Sequence, residues 1–596
     1  MGGESTLDER AVEVDMSSQA PISPDNRSVS QNEKSGIKEW ASKAVEEVRY
    51  LFGTQSGLLG DYDYSFLLTP NLPPFNKKYK GRAQPFYGIN DRIPLLLTVL
   101  LGIQHALAMI GGLVTPPLLV AGASGANLTG QQTAYLVSAS LILSGIFSLF
   151  QIVRFRIFNT GLWIGTGMLS VVGEAFSIVP IAQGFFANEY ASGRCPTDAD
   201  GKKLPCPEAY GKLLGTVACV MWFQVALSLV KPRILMKVFP KLVTGMVLIC
   251  IGASLAASGM KSWAGGTGPC ISRPISGPFV NCPNNNAPNA KPWGHPSFIG
   301  LGFSVYASIL AVEFFGSPLL RSGSVFIGLL VGSIIAAATG YIDGSSISTT
   351  PSGTFLWTTT FPLGVSGALV LPLMASCITT LVICLGDVVA TAEVSGLDVD
   401  GEDGQGVSDR VQGGLTGDAI WSVLAPLATT TPTVCFAQNI GVIGLTNCAS
   451  RRAGYACCIF LVVAGVASKF GAAIVALPQP VIGGMTTFLF TSIITTGLKI
   501  LSTVNWTRRN RFIATATMVF GISDLLVPDW ALYLLPKGGG TALQGFKDGI
   551  GLMLRTSYCI VALVGMVLNA ALPEEPEENS NKLPVSAPES KSKREE

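Results

Sequence analysis

The sequence predicts an all-α polytopic membrane protein of about fourteen transmembrane spans in two successive sets of seven. Three observations predict it. Only 13% of the 596 residues are charged, about half the ~25% usual in soluble domains, while 48% are hydrophobic and mean hydropathy is +0.45. Stretches free of Asp, Glu, Lys and Arg run from Ile93 to Val153, Gly344 to Gly386, Ala419 to Ser450 and Phe470 to Leu498. Each exceeds the ~20 residues that cross a ~30 Å hydrocarbon core. Finally, two of the apolar runs are interrupted in a related way, at the third position of each set of seven.

The ends differ from the middle. Residues 1–34 are rich in Ser, Asn and acids, and residues 574–596 form a Pro, Glu, Ser and Lys tail; both compositions predict disorder. From Ile37 to Phe52 apolar residues recur at helical spacing opposite Lys38, Glu39, Lys43, Glu46 and Glu47, the pattern of an amphipathic interfacial helix. Three regions follow: a cytoplasmic N-terminal region over 1–92, a transmembrane domain over 93–573 and a cytoplasmic tail over 574–596. The first 30 residues hold no apolar run, so no cleaved signal peptide is expected.

Spans are placed near 93–114, 134–153, 161–186, 213–230, 242–260, 298–316, 324–342 and 364–388. The series continues near 412–427, 432–448, 453–475, 481–501, 511–534 and 552–573. Short loops fix orientation: Arg154 and Arg156; Lys231, Arg233 and Lys237; Arg321; Arg451 and Arg452; and Arg508, Arg509 and Arg511 all follow even-numbered spans. The positive-inside rule then puts both termini in the cytoplasm. Net charge is +2 without a basic stripe, which excludes a nucleic-acid surface as partner and leaves membrane lipid. Most of the 13 Cys lie in apolar spans as small hydrophobes. Cys195 with Cys206 and Cys270 with Cys282 fall in outside loops, where disulfides are compatible with the compartment but not fixed by spacing.

The interrupted segments carry the candidate site. Gly165-Thr166-Gly167 precedes Val172-Gly173-Glu174-Ala175-Phe176 in the third span, and Thr429 to Thr433 precede Cys435-Phe436-Ala437-Gln438-Asn439 in the tenth. Irregular backbone at membrane depth is tolerated around a protein-lined cavity, and matched broken spans in two halves point to a midplane site. Gln438 and Asn439 offer donors and acceptors suited to the edge of a planar heterocycle, or to gluing helices together. Glu174, Glu313, Asp387 and Asp418 are candidates because an intramembrane carboxylate is costly unless paired or hydrated. His105, after Gln104 in the first span, is a core donor or a proton relay. There is no nucleophile elbow, phosphate loop or metal-binding His pair, so neither an enzyme nor a cofactor or metal is expected.

These residues resemble the nucleobase–ascorbate transporter family, particularly its fungal uric acid and xanthine permeases. The family's tenth-span motif reads Gln-Asn, any residue, Gly, four residues, then Thr and a basic residue; Gln438, Asn439, Gly441 and Thr446 match. Gln104-His105 resembles the family's first-span pair, and Asp61-Tyr62-Asp63-Tyr64 its cytoplasmic trafficking motif. The resemblance implies inverted repeats of seven spans, short strands in spans 3 and 10, core and gate domains, a homodimer, and purine–proton symport at the plasma membrane. It implies that Phe176 flanks the base, Gln438 binds it, Asn439 supports the site, and Asp387 and Asp418 form the coupling network. Two positions depart from the pattern: Ile383 stands where a substrate-gripping Glu is usual, and Asn447 where a basic residue is usual. Glu174 occupies a usually uncharged position and is expected to restore a carboxylate to the cavity. Two other readings stay open: a purine-sensing receptor without turnover, and an anion carrier of the sulfate or bicarbonate type.

Overall fold

The computed structural model describes residues 52–73, 85–157, 161–285, 289–342, 344–397, 404–527 and 540–573, with isolated positions besides. The expected amphipathic helix, apart from Glu46, Arg49 and Phe52, and the two expected tails lie outside the described residues. The described residues before Asp61 belong to a separate unit, in which Thr54 Oγ1 caps the short helix α1 (Gln55–Leu58) by accepting from Gly57 N at 3.0 Å.

From Asp61 onward the chain is helical. After α2 (Tyr64–Leu68), the long helices α3 (Leu95–Ala121) and α4 (Gly130–Val153) carry the first uncharged stretch. A capping box starts α4: Thr129 Oγ1 accepts from Gln132 N, and Gln132 Oε1 accepts from Thr129 N. Further along come α5 (Ile178–Ala191), α6 (Pro207–Ser228), α7 (Lys241–Trp263), α8 (Pro296–Phe315), α9 (Ser324–Ala338), α10 (Gly367–Val394) and α11 (Gly404–Leu427). The last group is α12 (Gln438–Thr446), α13 (Arg451–Val466), α14 (Ser468–Val475), α15 (Gln479–Ser502), α16 (Arg508–Leu526), α17 (Thr541–Leu554) and α18 (Ser557–Ala571). Proline opens α6, α8 and α15, where its missing N–H costs nothing.

Among the described residues seven helices are long and apolar enough to cross a membrane, or nine if the bent pairs α13/α14 (72°) and α17/α18 (87°) each count once. The molecule is therefore a multi-pass membrane protein. Several expected boundaries are corrected. The third span is no helix from 161; it starts at Ile178 after extended chain. The eleventh breaks at Ala467, the thirteenth ends at Leu526, and the fourteenth is preceded by a sharply bent helix.

Four strands interrupt the helices. β1 (Phe155–Arg156) pairs antiparallel with β2 (Trp163–Ile164), a pairing the apolar pattern did not signal. β3 (Val172–Glu174) pairs antiparallel with β4 (Thr433–Cys435), matching Val172 with Cys435, Gly173 with Val434 and Glu174 with Thr433. Phe436 N donates to Val171 O at 3.0 Å and Ala175 N to Pro432 O at 2.8 Å, extending the ladder beyond both ends. The two broken segments thus satisfy each other's backbone where lipid could not. Outside the spans, Cys195 is bonded to Cys206 and Cys270 to Cys282, with Cα–Cα separations of 5.6 and 5.7 Å.

Candidate functional site

The site is built where β3 runs into α5 and β4 runs into α12. The nine residues of α12 rise ~14 Å at ~1.5 Å per residue, about half of a hydrocarbon core. Neither half-helix crosses alone, and both direct their N-termini, the positive ends of their dipoles, toward the strand pair.

Serines from neighbouring helices hold each strand. On α4, Ser148 Oγ accepts from Val172 N at 2.8 Å, and Ser144 Oγ donates to Val172 O. On α11, Ser422 Oγ accepts from Thr433 N at 3.2 Å and is within 2.9 Å of Thr433 O. The same device serves both halves. The loop before β4 is strained: Thr429, β-branched, has φ 76°, a region such residues rarely occupy. Tyr210 OH donates to Thr429 O, and Thr429 Oγ1 to Tyr135 OH, both at 3.0 Å.

Two aromatic rings meet at the strand ends. Phe176 stacks on Phe436, with centroids 6.2 Å apart and planes at 10°, and Phe490 of α15 meets Phe176 edge-on at 5.6 Å and 85°. Glycine makes room for Phe436: a Cβ on Gly173 would lie 2.7 Å from its Cζ, and one on Gly112 2.7 Å from its Cε2. Next along the chain, Ala437 and Gln438 are exposed at the start of α12, and Gln438's amide has no hydrogen bond among the described residues. An open amide beside an aromatic face is a combination that reads a flat, hydrogen-bonding ring.

Asn439 faces the other way. It is 1% exposed, and its Oδ1 lies 3.1 Å from His105 Nδ1; with Nδ1 protonated, His105 donates and its Nε2 is left as the acceptor. Neither Asn439 Nδ2 nor His105 Nε2 has a partner. Gln104 Nε2 donates to Ser322 Oγ at 2.6 Å, so the first-span pair ties α3 both to the tenth-span motif and to the segment before α9.

The carboxylates divide. Asp418 is fully buried, its Oδ2 accepting from Gln224 Nε2 at 3.2 Å while Oδ1 has no partner. Asp387 on α10 is half-buried, as is Ile383 one turn earlier. Glu174 is 3% exposed and accepts from Thr431 Oγ1 at 2.5 Å, with Oε1 unpartnered. Strand alternation turns it to the face opposite Gly173, whose side meets Phe436. Its carboxylate thus faces Thr431, behind the strand pair. Glu313 accepts from Ser324 Oγ at 2.6 Å, away from these elements.

Asn447 ends α12 in the left-handed region at φ 52°, which Asn tolerates better than most residues. Its carbonyl accepts from Tyr87 N at 2.9 Å. Thr446 is buried, its hydroxyl donating to Val442 O at 2.8 Å, whereas Gly441 has open space beside it. Of the Asp61-Tyr62-Asp63-Tyr64 motif, Tyr62 is buried against Tyr64 and Tyr87, which pushes its phenol up from the ordinary value chiefly by desolvation.

Sequence reading missed Phe490, Ser144, Ser148, Ser422, Gln224 and Gln151. Gln151 Oε1 accepts from Trp421 Nε1 at 3.1 Å. Only Gln151 and Gln224, buried amides in apolar spans, carried a signal.

Residues 96–530 match the model of a permease family. The chain is 48% identical over 536 residues to the purine permease of Emericella nidulans, and likewise to its uric acid-xanthine permease, covering 90% of this chain and 91% of each relative. To the xanthine permease XanQ of Escherichia coli it is 28% identical, covering 82% of this chain and 93% of that one. In fold it resembles the transmembrane domain of the cyanobacterial bicarbonate transporter BicA, with a TM-score of 0.51 at 16% identity, over 74% of this chain and 98% of that domain. By motif, by the extent of the family match and by these relatives, the chain belongs to the nucleobase–ascorbate transporter family of permeases.

Proposed function

We propose that this permease imports purine nucleobases such as xanthine or uric acid together with a proton, as a secondary active transporter. The observation that carries this reading is the open Gln438 amide two residues after Phe436, which stacks with Phe176. A purine lies against Phe176 while Gln438 reads its edge with one donor and one acceptor. Asn439, held by His105, fixes the start of α12, and Gly441, Thr446 and Asn447 tune selection through that helix. Asp387 and Asp418 take up the coupling proton, with Glu174 as a third carboxylate behind the strands.

Transport proceeds by elevator-like alternating access in a plasma-membrane homodimer with both termini cytoplasmic. Fourteen spans form two inverted repeats of seven, the core domain carrying spans 1, 3, 8 and 10 past a gate domain. The Ser148 and Ser422 contacts, one in each half, support the repeat relation. Asp61-Tyr62-Asp63-Tyr64 serves export to the surface.

Ile383 favours a second reading, because an aliphatic side chain offers no charge-assisted bond, commonly ~1.5–3 kcal/mol, to a ring N–H. That reading is a receptor that binds purine without turnover. Proteoliposomes holding the purified chain, given radiolabelled xanthine and an imposed pH gradient, separate the two. Accumulation that collapses with a protonophore supports symport; saturable binding without accumulation supports the receptor.

A further inference from the structure

Three donor atoms from separate elements converge within the packed helices. Cys384 on α10 and Cys435 at the end of β4 have their Sγ atoms 3.3 Å apart. Together with a carboxylate oxygen of Asp418 on α11, all three donor atoms lie within 4.8 Å of one another. Exposure is 0% for Cys384 and Asp418 and 2% for Cys435. Asp418 Oδ1 has no hydrogen-bond partner, and among the described residues no Lys or Arg pairs with it.

We propose that Cys384, Cys435 and Asp418 form a binding site for a thiophilic divalent cation of the Zn2+ class, of which Cd2+ is the convenient probe. The donor set and the spacing fit. A tetrahedral ion with metal–sulfur bonds of ~2.3 Å holds two thiolates ~3.7 Å apart, a few tenths of an ångström beyond the separation found. A divalent ion that displaces the two thiol protons leaves the net charge of the cluster unchanged, so occupancy adds no uncompensated charge to a buried site. The supporting contacts such a site needs are in place. Gln224 holds Asp418 Oδ2, and Gln151 Nε2 approaches Cys435 Sγ at 3.5 Å while bonding Gly414 O at 3.0 Å.

Asp387 lies three residues after Cys384, on the same face of α10, and is half-buried beside the exposed Gly386. It gives an incoming cation an acidic approach. A bound ion bridges α10, which carries Ile383 and Asp387, to β4, which leads into Phe436 and Gln438. Pinned in this way, the two walls of the site cannot shift against each other, and transport is inhibited.

The test is titration of the purified, reduced full-length chain with Cd2+, with the exposed Cys219 replaced by serine so that a surface thiol does not contribute. The expected result is a cadmium–thiolate absorption band that saturates at one ion per chain, with proton release and a higher unfolding temperature. Cys384→Ser and Cys435→Ser should each weaken binding by roughly a hundredfold or more, since even outer-shell changes cost about 10- to 100-fold. A band that persists undiminished in both serine variants, or the absence of a saturable band in the Cys219→Ser protein, overturns the proposal. The second outcome needs no cluster variant to fold.

Discussion

Phe176 and Phe436 stack nearly parallel, their planes 10° apart and their centroids separated by 6.2 Å. The rings come from the two broken segments, and the β3–β4 register of Val172 with Cys435 sets their meeting. Replacing Phe176 by alanine removes one stacking face for a bound base, worth ~1–3 kcal/mol. Half-saturation for xanthine should then rise roughly 5- to 150-fold, read as competition against radiolabelled uptake at equal surface protein. Unchanged half-saturation would remove Phe176 from the binding site.

Gly173 is the point at which β3 comes closest to Phe436. A Cβ there meets Phe436 Cζ at 2.7 Å and Leu113 Cδ2 at 2.5 Å, and overpacking of this kind costs ~1–3 kcal/mol. Gly173→Ala should lower both thermal stability and uptake, whereas Gly441→Ala, inside α12 with nothing within 4 Å of its added carbon, should not lower stability and gains helix propensity. Thermal unfolding of the two variants side by side checks the difference.

Ser422 holds Thr433 as Ser148 holds Val172. Removing either hydroxyl leaves a buried backbone N–H unsatisfied, at ~1–3 kcal/mol. Ser148→Ala and Ser422→Ala should each lower the unfolding temperature and by similar amounts. A loss confined to one of them would show that the two strands are not held equivalently.

His105 and Asn439 should behave as one unit. The 3.1 Å contact joins α3 to α12 with both groups buried, so either alanine variant strands its partner. In a double-mutant cycle on purine binding, the combined loss should be ~0.5–3 kcal/mol smaller than the sum of the single losses. Simple additivity would mean that the contact does not position Gln438.

Much of this arrangement was legible in the sequence. Gly165, Gly167, Pro432 and the threonines beside it mark where apolar runs cannot continue as helix, and the matching positions point to a midplane site. Their side-chain directions were not legible. Whether Glu174 faces the rings or the back of the strands depends on a register with a period of two, and one residue of slip reverses it. Serines 144, 148 and 422 look like any small residues in a span. Phe490 gives no sign in an apolar helix that it will touch Phe176. Helix breaks at Ala467 and between Leu554 and Ser557 fall beside Ser468-Lys469 and at Arg555-Thr556, short polar steps that hydropathy averaged over a whole span does not resolve.

In the proposed mechanism Gln438 reads a purine at the start of α12. Uptake of radiolabelled xanthine, urate, hypoxanthine, adenine, guanine, uracil and ascorbate into cells lacking their own carriers tests it most directly, with Gln438→Ala at matched surface abundance. Saturable uptake of at least one purine, abolished by the substitution, is expected. Saturable uptake that survives Gln438→Ala unchanged would contradict it.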